Sequence, residues 1–179
     1  MIVIMSADYR SLFDPPDATD RHLQPGEALF HAGDATSHTA LVRSGLMQLM
    51  RWTSAGSTVI LQTARSGDVL AEASAYSQVH HCGAVAAQAS LVSLVPIPAF
   101  RRCLREDPDI AETWSEHLAK SVQAARMLAE LRTLHTVAER VDAWLGQGGK
   151  LPAKGAWQDL AAELGVTREA LYRELARRR

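Results

Sequence analysis

The stretch AWQDLAAELGVTREALYRELARRR, residues 156–179, determines how the C-terminal part of this chain is organised. Its apolar residues recur at helical spacing on both sides of one glycine, and they are Leu160, Ala161, Leu164, Val166, Leu171 and Leu175. We therefore predict two short amphipathic helices that meet at Gly165, where a residue with a Cβ would resist the turn conformation. Ala161 is small enough to let the helices cross closely, and Thr167 is a natural N-cap for the second helix.

The outward face of the second helix is polar, because its apolar residues face inward. That face carries Arg168, Glu169, Tyr172 and Arg173. Arginine can bond two acceptors of guanine in the major groove, and glutamate can accept from the cytosine amino group. Helix N-terminal amides and the terminal arginines can hold phosphates. The pattern predicts a DNA-reading helix, and the alternative is an ordinary surface hairpin with solvated charges. The predicted DNA-contacting residues are Thr167, Arg168, Glu169, Tyr172, Arg173, Arg177 and Arg178.

Composition limits the class of protein. A chain of 179 residues with 47% hydrophobic content can bury a core, as one domain or two small ones. The net charge of −1 divides unevenly, with −3 over residues 1–136 and +2 over residues 137–179, which suggests an anionic partner for the C-terminal part. Two cysteines cannot form a disulfide framework or a four-thiolate iron–sulfur cluster in one chain. We find no signal peptide and no apolar run long enough to span a membrane, so we expect a cytoplasmic protein without a membrane partner.

Short β-favouring segments separated by glycine turns occupy the region from Pro25 to Phe100. The turns fall at residues 25–27, 32–34, 44–45, 54–57 and 66–68. A turn about every ten residues is typical of a β-sandwich or roll. Pro96 and Pro98 are expected to end the last strand, because neither can donate a ladder hydrogen bond.

The apolar pattern becomes helical from Pro108 onward. It predicts one uninterrupted helix of about 27 residues, roughly 40 Å long at 1.5 Å per residue. A helix of this length is hard to cover with one small β domain. We favour a coiled-coil-like seam between two chains over a helix that packs wholly on its own domain. The predicted seam is Ile110, Trp114, Leu118, Val122, Ala125, Leu128, Leu131 and Leu134.

The segment AEASAYSQVHHCGAVA, residues 71–86, places a carboxylate, two histidines and a cysteine close together. Thiolate and imidazole suit Cu(I), Zn or a haem iron, and a carboxylate could be a ligand or support one. Alternatively the cysteine has a lowered pKa and acts as a redox switch, or it is a half-buried structural residue beside solvated histidines. The metal-ligand candidates are Glu72, His80, His81 and Cys82, of which at most two of the last three share a strand face. The remaining histidines have no ligand spacing and are interpreted as ordinary: His22, His31, His38, His117 and His135.

The roll, the long helix and the terminal helix pair together resemble the Crp/Fnr family of bacterial transcription regulators. The resemblance runs from about Leu23 to Arg179. GVTREALYRELARR resembles the recognition helix of that family, and SGDVLAEAS (66–74) resembles the segment that opens its effector pocket. The resemblance implies an α+β fold in three parts. These are a double-stranded β-helix of the cupin-like jelly-roll type that serves as a cyclic-nucleotide-binding-like sensor (1–107), a dimerisation helix (108–136) and a helix-turn-helix DNA-binding domain (137–179).

Members of this family normally continue past the recognition helix into a β-hairpin wing, whereas this chain stops at Arg179. We therefore expect an incomplete wing, or terminal arginines that replace its phosphate contacts.

The pocket segment departs from the family members that bind cyclic AMP. Those members have a glycine before the pocket glutamate, and an arginine about ten residues on that pairs with the cyclic phosphate. Here Glu72 is present, but the two other positions hold Ala71 and Cys82-Gly83. A buried phosphodiester without its guanidinium would cost roughly several kcal/mol, so we expect a metal, haem or redox signal rather than cyclic AMP. The predicted effector-pocket residues are Ala71, Glu72, Ala73, His81, Cys82 and Gly83.

The resulting hypothesis is a homodimeric regulator that binds a palindromic operator, with RNA polymerase as a further candidate partner. The alternative is a cyclic-nucleotide or small-molecule binding module that acts through protein partners. We do not expect an enzyme. The adjacent histidines lack the spacing of a two-histidine, one-carboxylate site, and no Ser/His/Asp set or glycine-rich phosphate loop occurs elsewhere.

Overall fold

The structure is a computed structural model that describes residues 8–52, 58–151, 155 and 157–178. These residues form two compact units, one up to Leu118 and one from Ala119 onward. No helix of the described residues is long and apolar enough to cross a membrane.

Eight strands build the first unit: β1 Thr19–Leu23, β2 Ala28–Phe30, β3 His38–Ser44, β4 Leu46–Trp52, β5 Thr58–Arg65, β6 Val69–Leu70, β7 Gly83–Ala86 and β8 Ser90–Pro96. They form two antiparallel sheets, in the orders β1-β8-β3-β6 and β2-β7-β4-β5. Each sheet joins strands that are distant in sequence, for example Leu23 of β1 opposite Ser90 of β8. The predicted antiparallel β-roll is confirmed.

Two hydrophobic cores hold the first unit together. The inner core lies between the two sheets and consists of Leu23, Ala40, Val42, Met47, Leu49, Ala64, Leu70, Ala84, Ala86 and Val92. The outer core covers the other face of the first sheet and consists of Leu12, Phe13, Leu41, Val69, Ala75, Val95, Ala99, Phe100 and Trp114. Strand β3 contributes alternate residues to the two cores, which explains why its apolar run is nearly continuous.

The predicted glycine turns separate these strands. Gly26, Gly33, Gly45 and Gly67 all have positive φ, while the turn predicted at residues 54–57 lies outside the described residues. At Gly45 an added Cβ would lie 2.3 Å from the carbonyl oxygen of Ala89, so glycine is required there for space as well as conformation. Strand β8 ends at Pro96 as predicted, and Pro98 stands in the first turn of the helix that follows.

Five α-helices complete the described residues: α1 Ile97–Glu106, α2 Pro108–Thr133, α3 Val137–Gly146, α4 Trp157–Leu164 and α5 Arg168–Arg177. Helix α2 has 26 residues and begins at Pro108, in agreement with the prediction. Two short 3-10 helices, Tyr9–Phe13 and Glu72–Tyr76, lie in the first unit. Thr136 caps α3 through a capping box, in which its hydroxyl accepts from the backbone N–H of Glu139 and the Glu139 carboxylate accepts from that of Thr136.

The predicted seam of α2 is divided into three parts. Ile110, Trp114 and Leu118 pack in or against the outer core, so the chain itself covers the first part. Leu128, Leu131 and Leu134 pack in or against the core of the second unit. Only Val122 and Ala125 are exposed, and Val122 is 48% exposed. The predicted seam is therefore exposed only in the middle of the helix, and pairing of two chains through it stays a prediction.

The second unit is built around its own core, the C-terminal core, made of Leu131, Val141, Trp157, Leu160, Ala161, Leu164, Leu171 and Leu175. Helices α4 and α5 are the two predicted short helices. Gly165 ends the first of them with φ +65°, in the left-handed region that glycine adopts most readily. The described residues end at Arg178, so the prediction about a wing is not tested.

Candidate nucleic-acid interface and signal pocket

The solvent-facing side of α5 carries polar side chains. Thr167 has extended backbone, and its hydroxyl accepts from the backbone N–H of Ala170 at 3.2 Å, as expected of an N-cap. Arg168, Glu169 and Arg173 are exposed. On the opposite side of the helix Leu171 and Leu175 are buried in the C-terminal core. The sequence pattern therefore separates the apolar residues Leu171 and Leu175 from the exposed Arg168, Glu169 and Arg173.

Tyr172 has a different environment from the one predicted. Its ring is half-buried and meets Trp157 edge-on, with the ring centroids 4.8 Å apart. The Arg168 guanidinium lies over the same ring, 5.2 Å from its centroid. Helical spacing alone could not predict this, because Trp157 reaches the tyrosine from α4. Tyr172 is thus part of the support for Arg168.

The two described C-terminal arginines are also used within the chain. Arg178 donates to Glu174 Oε1 at 2.6 Å, to the carboxylate of Asp142 and to the carbonyl oxygen of Ala138. Arg177 pairs with Glu174 as well, but its side chain is 71% exposed against 27% for Arg178. We predicted that both contact DNA; the donors of Arg178 are already engaged on α3 and α5. Arg179 lies outside the described residues.

Residues Ala71 and Glu72 lie at the start of the second 3-10 helix. Ala71 has φ +53° and ψ +52°, and it is the one non-glycine residue with positive φ in the described part of the chain. An L-residue pays a steric cost there that glycine does not. The conformation of this segment is thus the one a glycine would favour, although the residue is alanine.

Glu72 lies against a histidine of α2. Its Oε1 is 3.6 Å from Nε2 of His117, and both side chains are mostly buried. The His117 ring stacks on Tyr9 with centroids 4.4 Å apart and lies 5.2 Å from the Trp114 ring. Burial lowers the pKa of His117, while the Glu72 carboxylate opposes that effect. We interpreted His117 as ordinary from the sequence, because no residue near it in the chain indicates that Glu72 lies beside it.

His80 is buried beside the inner core. Its ring stacks on Phe30 with centroids 3.6 Å apart, and its Nδ1 lies 3.0 Å from the Ser74 hydroxyl. Burial lowers the pKa of this histidine too, which favours the neutral form of its ring. Phe30 was not among the predicted pocket residues, and β2 brings it here through pairing with β7.

The neighbours of His80 point elsewhere. His81 is exposed, and its Nε2 lies 3.2 Å from the Ser77 hydroxyl. Cys82 is half-buried against the inner core, and burial raises the pKa of its thiol. Gly83 is buried, and a Cβ there would lie 3.0 Å from the Trp52 ring. A raised pKa disfavours the thiolate, which is opposite to the lowered pKa that the redox-switch hypothesis assumed, and a redox role for Cys82 stays a prediction.

The predicted metal ligands are not brought together. Glu72 faces His117, His80 faces Ser74 and Phe30, His81 faces Ser77, and Cys82 faces the inner core, as described above. Among residues 8–52, 58–151, 155 and 157–178, no group of three or more His, Cys, Asp or Glu residues could hold a metal ion. The metal-site expectation is therefore corrected. His80 is buried and His81 is exposed, but residues 80–82 precede β7 and do not form the strand that the prediction assumed. Glu72 lies beside His117 of α2.

The chain is similar to known proteins both in sequence and in fold. Residues 20–107 match the family described as the cyclic nucleotide-binding domain. The solved structure of FixK2 from Bradyrhizobium japonicum is similar at 21% identity and a TM-score of 0.73, over 89% of this chain and 83% of that one. The c-di-GMP responsive global regulator CLP from Xanthomonas campestris is similar at 17% identity and a TM-score of 0.69, over 94% of this chain and 88% of that one.

The catabolite activator protein of Thermus thermophilus is a further similar structure, at 22% identity and a TM-score of 0.57, over 93% of this chain and 79% of that one. No curated protein sequence matches the chain significantly. The match over residues 20–107 agrees with the predicted cyclic-nucleotide-binding-like roll. The structural similarity extends the likeness in fold to most of the chain.

Proposed function

We propose that this chain is a homodimeric, sequence-specific DNA-binding regulator of the Crp/Fnr type. In this proposal α5 reads the major groove, the middle of α2 joins two copies, and the β-roll receives a signal other than cyclic AMP. The chain is cytoplasmic, its DNA site is palindromic, and RNA polymerase is a candidate partner.

The observation that carries the proposal is the division of α5 into two faces directly after the Gly165 turn. Arg168, Glu169 and Arg173 are exposed, while the opposite face is anchored in the C-terminal core. Arg168 is further oriented by the Tyr172 ring. Two arginines and a glutamate at this spacing match the hydrogen-bonding pattern of guanine and cytosine in the major groove.

The proposed dimer contact is the middle of α2. Val122 is an aliphatic side chain that is 48% exposed, and Ala125, also exposed, lies on the next turn of the same helix. A second copy would bury both, and small residues allow close approach of two helices. Because the rest of the predicted seam is already covered within the chain, the contact is short, centred on Val122. A shift of the two helices along it would change the separation of the recognition helices.

The proposed signal enters near Glu72, His80 and His117. Glu72 lies beside the mostly buried His117, and His80 lies separately against Ser74 and Phe30. Because Cys82-Gly83 stands where the family members that bind cyclic AMP have an arginine, this segment favours a ligand without a phosphodiester charge. Signal and DNA reading would then be linked through α2, which carries both His117 and the exposed Val122.

The test is selection of DNA from a random-sequence duplex library, followed by affinity measurements on the selected duplex and on a scrambled one. We expect Arg168→Ala and Arg173→Ala each to weaken specific binding by roughly tenfold to a hundredfold and to change non-specific binding far less. Arg105→Ala, which removes an exposed arginine of α1 in the first unit, is the matched control. Unchanged discrimination in both α5 variants would contradict the proposal.

Dimerisation is tested separately by sedimentation. Val122→Glu should yield monomers at concentrations where the parent chain is dimeric, because two carboxylates would face each other in an apolar contact. Gln123→Glu adds the same charge at the neighbouring exposed position and should leave the dimer intact.

A second candidate function is a nucleotide-binding module that acts through a protein partner, and the match over residues 20–107 favours it. Calorimetry with cyclic AMP, cyclic GMP and c-di-GMP distinguishes the two. Tight nucleotide binding together with sequence-independent DNA binding would support the module, whereas selected DNA sites would support the regulator.

A further inference from the structure

One arginine of α3, Arg140, occupies an unusual position in the second unit. Its Nε donates to the carbonyl oxygen of Leu134 at 3.0 Å and its Nη2 to that of Arg132 at 3.0 Å. Its Nη1 donates to the carbonyl oxygens of Leu164 at 3.0 Å and Gly165 at 2.9 Å. All three guanidinium nitrogens are therefore bonded to backbone carbonyls, and none of these bonds goes to a carboxylate.

These four carbonyls belong to the ends of two helices. Helix α2 ends at Thr133 and α4 ends at Leu164, and the last carbonyls of a helix have no partner within it. They also carry the negative end of the helix dipole, which favours a cation. A planar guanidinium with five N–H donors can serve both ends at once, whereas a lysine ammonium with three donors on a flexible stem cannot. Arg140 thus caps α2 and α4 simultaneously.

A second arginine, Arg132 near the end of α2, covers the same turn. Its Nη2 lies 3.3 Å from the carbonyl oxygen of Glu163, and a Cβ added at Gly165 would meet its Cγ at 3.2 Å. Leu131 beside it is buried in the C-terminal core. The end of α2, the start of α3 and the turn between α4 and α5 are therefore joined by polar bonds as well as by apolar packing.

We propose that Arg140 is a positioning residue, which fixes the α4–α5 pair on the end of α2 so that a dimer presents its two recognition helices at one separation. The inference rests on the proposed function, because it concerns the spacing of two DNA half-sites. Such half-sites lie about one helical turn, roughly 34 Å, apart, and a change of one base pair both shifts and rotates one of them. A loosely held α4–α5 pair would tolerate such a change, and a rigidly held pair would not.

The variant is Arg140→Lys, which keeps the charge and loses the planar fork of donors, and the matched control is Arg105→Lys at an exposed position of α1. The probes are duplexes selected by the parent chain from a random library, with one or two base pairs inserted or removed between the half-sites. We expect the parent and the control to discriminate against altered spacing by about tenfold or more. We expect Arg140→Lys to lose most of that discrimination, while its affinity for a single half-site changes by less than about threefold.

A general loss of stability would lower the affinities for the selected and the altered half-site spacing together. The ratio of these two affinities therefore reports on positioning alone. If Arg140→Lys retains the spacing preference of the parent, the inference is overturned. If the parent itself selects no spaced half-sites, the proposed function fails instead. The inference is then decided by amide hydrogen exchange on the free protein, where faster exchange in Arg140→Lys must be confined to the ends of α2 and α4. Arg140→Gln, with two amide donors, replaces the lysine variant should the latter not fold.

Discussion

The Nε2 atom of His117 lies 3.6 Å from the Oε1 atom of Glu72, and the two side chains are only 16% and 18% exposed. Burial lowers the pKa of His117 from its ordinary value of 6.5, more than the carboxylate raises it. The unfolded chain therefore binds a proton at this site before the folded chain does. The free energy of unfolding consequently falls as the pH drops below 6.5, until the folded-state pKa is reached. His80 acts in the same direction.

Glu72→Gln should make the protein more sensitive to acid. Without the carboxylate, the pKa of His117 falls further below 6.5, so more stability is lost between about pH 7.5 and pH 5.5. The measurements are urea unfolding at these two pH values and the imidazole titration of His117 by NMR. Glu112→Gln, on an exposed carboxylate of α2, is the control. An unchanged His117 titration in Glu72→Gln would show that the two groups do not interact.

Ala71→Gly should stabilise the first unit. The left-handed conformation of Ala71 costs about 1–2 kcal/mol, and the greater freedom of a glycine in the unfolded chain costs about 0.4–1 kcal/mol. The expected net gain lies between about 0 and about 1.6 kcal/mol in chemical denaturation. Ala73→Gly, two residues on at an exposed position of the 3-10 helix, should instead destabilise. Equal effects of the two substitutions would contradict the strain at Ala71.

Cys82 should react slowly with thiol reagents. Burial raises its pKa, so less thiolate is present at pH 7.5 than in a free cysteine. We expect alkylation by iodoacetamide, followed in a Cys103→Ala background, to be at least about tenfold slower than for glutathione and to reach the free-thiol rate in denaturant. Reaction as fast as glutathione in the folded protein would support the redox-switch hypothesis.

Arg178→Ala should lower the thermal unfolding temperature of the second unit, whereas Arg177→Ala should leave it almost unchanged. Arg178 joins α5 to Asp142 and to the backbone of α3, while Arg177 is bonded only within α5 among the described contacts. The same pair should behave in the opposite order in DNA binding, because the more exposed Arg177 is available to a phosphate. The salt dependence of affinity measures this, and a smaller slope for Arg177→Ala is expected.

Local sequence patterns were sufficient to predict the helices, the turns of the roll and their order along the chain. Glycines at regular intervals predicted the turns of the roll, and the change to a helical period predicted α2 from Pro108 onward. The run Leu164-Gly165-Val166-Thr167 predicted where α4 ends and α5 is capped. These features are local, since each depends on the backbone conformation of a few residues or on the face of a helix on which residues close in sequence lie.

The environments of the candidate site residues could not be predicted, because their contacts come from residues that are distant in the sequence. From its helical spacing we predicted that Tyr172 contacts DNA, whereas in the structure its ring packs edge-on against Trp157 of α4. The terminal arginines suggested phosphate contacts, but Asp142 of α3 engages Arg178. The predicted metal ligands do not lie together, because Glu72 contacts His117 and the ring of His80 stacks on Phe30. In each case the deciding partner comes from another element of the fold.

Residue patterns alone were enough to predict the elements of this protein: a β-roll with glycine turns, a long helix, and a short helix pair whose second member has one apolar and one arginine-rich face. The tertiary structure was needed to assign the partners of individual polar side chains. It directed Arg140 to the ends of α2 and α4 and placed Glu72 beside His117. The physical reason is that hydrophobic periodicity is repeated along many residues, whereas a buried polar group needs one particular partner, whose position is set by packing.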